Sequence, residues 1–160
     1  MRSTKYPLEP LVRLRARQVD AAAEALAKSV VARSRAHDVT RGAEADERAH
    51  EAQADEAREA EQAALARGEL RACDLMRGDA WEQRVVAEHE TLAARVAAAK
   101  ATEQRALENE RGALAGVARR KADAEVVEKD RARFTDGVRR RTEAKEEEAS
   151  AEAWRGPRRA

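Results

Sequence analysis

The residue types that carry catalysis or hold metal ions are few and scattered in this chain. Its three histidines stand at 37, 50 and 89, too dispersed for a local ligand set. No HExxH, CxxC, GxxxxGK or GxSxG pattern occurs, so zinc, dithiol redox, phosphate-loop and acyl-transfer chemistry each lack their usual spacing. Cys73 is the single cysteine, with only Arg71 and Arg77 nearby to favour a thiolate, and it reads as an ordinary small residue. Glu146, Glu147 and Glu148 lie among Arg and Lys and read as the charge of a solvated helix rather than as a metal site. The expectation is a non-enzymatic protein with no catalytic residue, metal or cofactor.

Binding is the chemistry that remains, and the few large side chains mark where it would occur. Tyr6, Leu8, Leu11 and Leu14 cluster near the start, Leu70, Leu75, Met76 and Trp81 cluster mid-chain, and Trp154 stands alone. Each cluster has a structural reading, capping or stapling a helix pair. It also has a functional one, since exposed apolar anchors beside Arg are what interface hot spots look like.

The elements that must position these clusters follow from composition. Charged residues make up 39% of the chain and aromatics 2%, and alanine supplies much of the apolar 42%, so no globular core can be filled. Such a mixture is typical of long helices and coiled coils. Proline is confined to positions 7, 10 and 157, leaving nothing between to break a helix. Around residues 67–84 the periodicity lapses and two glycines appear; Gly68 suits a helix C′ position, and Asp74 or Asp79 suits capping of the next helix. The expected fold is therefore all-α, a long antiparallel two-helix coiled-coil hairpin. Its expected parts are an extended segment over 1–10, a first helix over 11–67, a turn over 68–74, a second helix over 75–153 and a basic tail over 154–160. At 1.5 Å per residue an arm of some 55 residues spans about 80 Å.

Two stripes set the expected packing. In the first arm Val12, Ala16, Val19, Ala23, Leu26 and Val30 alternate steps of four and three, after which the stripe shifts register and thins to alanines such as Ala45, Ala49 and Ala52. In the second arm the seam runs from Val85 through His89, Leu92, Val96, Ala99, Glu103, Ala106 and Glu110 to Ala113. It continues through Val117, Arg120, Ala124, Val127, Arg131 and Phe134 to Val138. Five of these sixteen positions are polar, and Leu107 and Leu114 lie one residue off, so a drift is expected mid-arm. The second helix is expected to outlast the first, leaving its C-terminal end free.

The formal net charge is +1, which gives the chain no general attraction to nucleic acid or anionic lipid. Charge is nevertheless uneven: residues 11–41 carry seven Arg or Lys against three acids, and residues 44–61 carry eight acids against two Arg. A solvated face is the plain reading and a docking surface the alternative. A nucleic-acid or membrane-surface role through Arg139, Arg140, Arg141, Arg155, Arg158 and Arg159 is disfavoured by the interleaved acids. No stretch of about 18 apolar residues would span a bilayer, and no signal-peptide pattern opens the chain, so a soluble, cytoplasmic protein is expected. A single cysteine agrees with a reducing compartment.

The opening KYPLEPLVRLRARQVDAAA resembles the FliJ/YscO/CdsO family, the central stalk proteins of flagellar and virulence type III secretion systems. The virulence branch is the more similar. The likeness rests on Lys5, Tyr6, Pro7, Leu8, Glu9 and Pro10 followed directly by a basic helix, with a Gly-led turn near the middle and a Trp in a charged tail. It implies a hairpin similar to the γ-subunit coiled coil of rotary ATPases, at the cytoplasmic face of the inner-membrane secretion apparatus. Expected partners are a hexameric secretion ATPase, an export gate protein and export chaperones, with no nucleic acid and no membrane insertion. The open end, with Tyr6, Leu8, Leu11, Arg13, Arg15, Arg17, Arg139, Arg140 and Arg141, is expected to engage the ATPase. The turn end, with Leu70, Leu75, Met76 and Trp81, is expected to meet the export gate or a chaperone. The rival expectation is a generic coiled-coil scaffold or homodimer.

Overall fold

A computed structural model describes residues 5–154. Two helices, α1 (Glu9–Ala66) and α2 (Ala72–Trp154), pack against each other as an all-α helical hairpin, with no strand among the described residues.

Helix α1 starts two residues before the expected position. Leu8 is its N-cap, its carbonyl accepting the N–H groups of Leu11 at 2.9 Å and Val12 at 3.1 Å. Pro10 falls inside the first turn, where a missing N–H costs nothing because those groups have no helical partner, and Glu9 places a carboxylate at the positive end of the helix. Of the expected extended segment, residues 5–8 are described and form a tight turn, with the Glu9 N–H donating to the Tyr6 carbonyl at 3.3 Å.

The turn occupies residues 67–71, shorter than the expected 68–74, and the chain reverses by two cooperating caps. Gly68 adopts φ of 71°, the left-handed region glycine enters without steric cost. Its N–H donates to the Leu65 carbonyl at 2.9 Å while the N–H of Glu69 reaches back to Ala64 at 3.1 Å, the double bond pattern of a Schellman ending. Arg71, rather than an aspartate, is the N-cap of α2. Asp74 completes the cap from inside the first turn, accepting the Arg71 N–H at 3.0 Å, and Asp79 lies within the helix. Residues 72–74 therefore belong to α2, which ends at Trp154; the remainder of the expected tail lies outside the described residues.

Packing divides into two compact units, one from the residues up to Leu26 with those from Ala113 on, the other Ala27–Gly112. In the first unit Val12 is buried and Arg15, Val19, Ala22 and Leu26, continuing from it at steps of three and four, are half-buried on α1, and Val117 is the buried residue on α2. In the second unit Ala43, Val96 and Ala99 form a buried cluster, and Thr40, at 5% exposed, is the buried polar residue. No described side chain is less than 2% exposed. The packing within each unit is thus thin.

The α2 seam matches the expected one with two exceptions, His89 and Arg120, which are exposed. Glu103, Glu110 and Arg131 stay partly buried in it; of the two leucines one residue off, Leu114 stays outside at 58% exposed and Leu107 is half-buried. On α1 the expected stripe is half wrong. Val12, Val19 and Leu26 hold, but Ala16, Ala23 and Val30 are exposed, and Arg15, Ala22 and Ser29 take their places. Further on, Ala45, Ala49 and Ala52 are exposed, while Ala36, Thr40, Ala43, Glu47, His50 and Ala54 line the seam. Alanine occurs on every face of this helix, so it gives no contrast; matching polar groups across the helices choose the register instead.

Those matches are concrete. In the first unit Arg15 meets Asp123 at 3.3 Å and Glu9 meets Arg131 at 3.2 Å. In the second, Arg33 meets Glu110 at 3.2 Å, His37 meets Glu103 at 2.8 Å and Glu44 meets Lys100 at 2.8 Å. Asp46 meets Arg95 at 3.2 Å, His50 meets Glu88 at 3.1 Å and Arg58 meets Glu82 at 2.6 Å. Within each unit, partner numbers fall on α2 as they rise on α1, the mark of antiparallel pairing. Hydrogen bonds from His37 and Thr40 hold the Glu103 carboxyl below its usual range, and Lys100 does the same for Glu44. Part of the acidic run over 44–61 is thus turned toward cations of α2.

Candidate interaction surfaces

At the end of the hairpin where α1 begins, Tyr6 fastens the N-terminal turn to α2. It is 8% exposed, its ring packs against Phe134 at a centroid distance of 5.5 Å, and its hydroxyl donates to Asp130 at 2.5 Å. Glu9 adds a bridge to Arg131. The hydrogen bond to Asp130 favours the protonated phenol, and desolvation and the carboxylates of Asp130 and Glu128 add to it, against the opposing charge of Arg131; the Tyr6 hydroxyl is pushed up to about 12. Tyr6 is therefore an anchor that positions the surface rather than a part of it, and Leu11 is half-buried beside the seam residue Val12.

The six arginines expected to act together separate into three kinds. Arg15 turns inward, bonding Gln18 at 3.0 Å and Asp123 at 3.3 Å, with its Nε buried and unpaired. Arg13 and Arg139 are exposed but tied within their own helices, Arg13 loosely to Glu9 and Arg139 to Asp136 and Glu143. Arg17, Arg140 and Arg141 are exposed and make no ion pair with any described residue. Leu8 and Leu14, at 45% and 51% exposed, add apolar surface to the same unit. Beyond Val138 every α2 residue to Trp154 is exposed, so this stretch packs on nothing within the described chain. Phe134, Asp130 and Arg131 lie outside the expected site residues; the signal in the sequence that points to them is a lone Phe in a chain with a lone Tyr.

The turn end is built differently. Leu75 and Met76 are exposed, Met76 at 74%, whereas Leu70 and Trp81 are half-buried. Arg67 bonds Glu69 and Arg77 approaches Asp74, so these four charges near the turn are paired locally. Cys73 is exposed in the first turn of α2. The apolar exposure here therefore rests on two adjacent side chains and Leu65, itself exposed.

The histidines are less dispersed in space than in sequence. His50 and His89 line one shallow groove of about 320 Å³ with Ala54, Arg58 and Val85. The groups do not converge on an ion: among the described residues no three His, Cys, Asp or Glu side chains are placed to hold one. Among the same residues no helix is long and apolar enough to cross a membrane. Comparison with protein families, with curated proteins and with solved structures finds no match to this chain.

Proposed function

We propose that the protein is a non-enzymatic central stalk of a type III secretion system, which binds the hexameric secretion ATPase and couples it to the export gate. The observation that carries this reading is the anchoring of the N-terminal segment. The residues that resemble the stalk family, Lys5–Pro10, are the ones that Tyr6 and Glu9 lock onto Asp130, Phe134 and Arg131 of α2. An anchored segment offers a ring a fixed, asymmetric surface, and two helices without a deep cleft favour mechanical work over catalysis.

The ATPase contact lies on the free cations Arg17, Arg140 and Arg141, with Leu8 and Leu14 as apolar neighbours. Arginine suits the task, because its planar guanidinium makes paired hydrogen bonds to carboxylates on a ring's inner loops. The export gate or a chaperone then meets Leu75 and Met76 at the turn, and the protein works at the cytoplasmic face of the inner membrane.

The test replaces Arg17, Arg140 and Arg141 with Glu and measures stimulation of the cognate ATPase and binding at low and high salt. Arg15 is spared because its loss would disturb the seam. Stimulation should fall with helicity unchanged, and wild-type binding should weaken with salt. Undiminished stimulation with salt-insensitive binding would refute the assignment of this end.

A further inference from the structure

In the unit Ala27–Gly112 an apolar groove of about 550 Å³ runs along one flank of the two helices. Ala32, Ala36 and Val39 of α1 and Ala98 and Ala99 of α2 line it, together with Arg35 and Arg95. Val39 is 62% exposed, an apolar side chain that this chain leaves uncovered. Gly42 and Gly112 repeat the heptad positions of Arg35 and Ala98 on this flank, and a methyl group added at either would meet nothing within 4 Å. Small side chains along a helix pair leave room for the large side chains of a third helix, which pack as ridges into such a groove.

Charge decides which third helix fits. Asp46 bonds Arg95, whereas Arg35, and Arg105 one heptad beyond Ala98, make no ion pair with any described residue. A second copy docking by two-fold symmetry would set this basic flank against its own image, a like-charge contact. A basic helix is disfavoured for the same reason. We propose that this groove binds one amphipathic helix of a partner protein, with Leu-sized side chains in the groove and Glu or Asp along its edges. The proposal is independent of the ATPase contact, which uses other residues in the other unit.

The experiment uses the full chain with Cys73→Ala and Val39→Cys carrying an environment-sensitive dye. Two synthetic helical peptides serve as probes, each with Leu at seam positions and flanked in one by Glu and in the other by Lys. The Glu-flanked peptide should shift the dye to a drier environment and bind about tenfold more tightly than the Lys-flanked one at low salt. Arg35→Glu with Arg105→Glu should reverse that preference while leaving helicity intact. Equal binding of both peptides, no dye response to either, or a preference unmoved by the charge reversal would overturn the proposal. So would sedimentation showing that the dye responds to the chain's own dimerisation. Loss of ATPase stimulation in the Arg17, Arg140 and Arg141 variant bears on the stalk reading alone.

Discussion

Four helical glycines, Gly42, Gly112, Gly116 and Gly137, give a quantitative handle on how loosely this hairpin is packed. Each already has helical backbone, and a methyl group built on any of them meets no atom within 4 Å. Replacement by Ala therefore introduces no clash and gains the difference in helix propensity, about 0.8–1 kcal/mol per site. Together the four substitutions should add about 3–4 kcal/mol, and at about 2–4 °C per kcal/mol for a chain of this length the unfolding midpoint should rise by about 10 °C. Gly68 is the opposite case, because its φ of 71° is strained for any side chain: Gly68→Ala should cost about 1 kcal/mol although the space around it is equally open. Circular dichroism at the helix minimum during thermal unfolding reads both effects, and paired substitutions separate Gly112 from Gly116, one turn away. A quadruple variant no more stable than the parent would mean that these glycines are held by contacts inside the chain. A stabilising Gly68→Ala would mean that the turn is not the left-handed ending described.

Tyr6 is the sole tyrosine, so its phenolate absorbance titrates without overlap from another phenol. Its folded value is raised to about 12, so its contribution to stability is complete below about 10, the unfolded value, and is lost as pH rises through 12. A wild-type midpoint near 10, or an Asp130→Ala variant with an unchanged midpoint, would remove the anchor from the account. Asp74→Ala should expose the Arg71 N–H and cost about 1 kcal/mol, read as faster amide exchange over the first turn of α2 and a lower unfolding midpoint; unchanged exchange there would refute the cap.

How much of this was legible in the sequence depended on contrast between residue types. The prolines, the lapse near Gly68 and the charged, alanine-rich composition were enough for the hairpin and for its turn to within three residues. The α2 seam was readable because valine, leucine and phenylalanine mark it at heptad spacing. The α1 stripe was not, because a step from Val12 to Ala16 and a step from Val12 to Arg15 differ only in what lies opposite. Arg15 is expected at the partner-facing surface with Arg13 and Arg17, and only Asp123 opposite it, which no local pattern reveals, turns it inward. The same blindness affected the open end, where six arginines looked equivalent and only Arg17, Arg140 and Arg141 prove free of ion pairs among the described residues. It also hid the groove beside Val39, which depends on two helices at once.

Polar pairs across the seam then explain how an alanine-rich hairpin holds one register. Each exposed pair contributes little stability, since both partners remain partly solvated. Their effect lies in what a slip would do. Sliding α2 by one heptad so that Glu103 reaches Arg33 would bring Val96 to His37, Ala93 to Glu44 and Glu88 to Asp46, the last a like-charge contact. Sliding it the other way would set Leu107 against Glu44 and Thr102 against Asp46. Alanine layers look alike under either slide, so the apolar seam alone would tolerate both. The penalty falls on Glu44 and Asp46, whose partners at 2.8 and 3.2 Å exist in the observed register only. Fixed register is what allows an alanine groove to keep a defined shape, and the chain secures it through its charges rather than through a deep core.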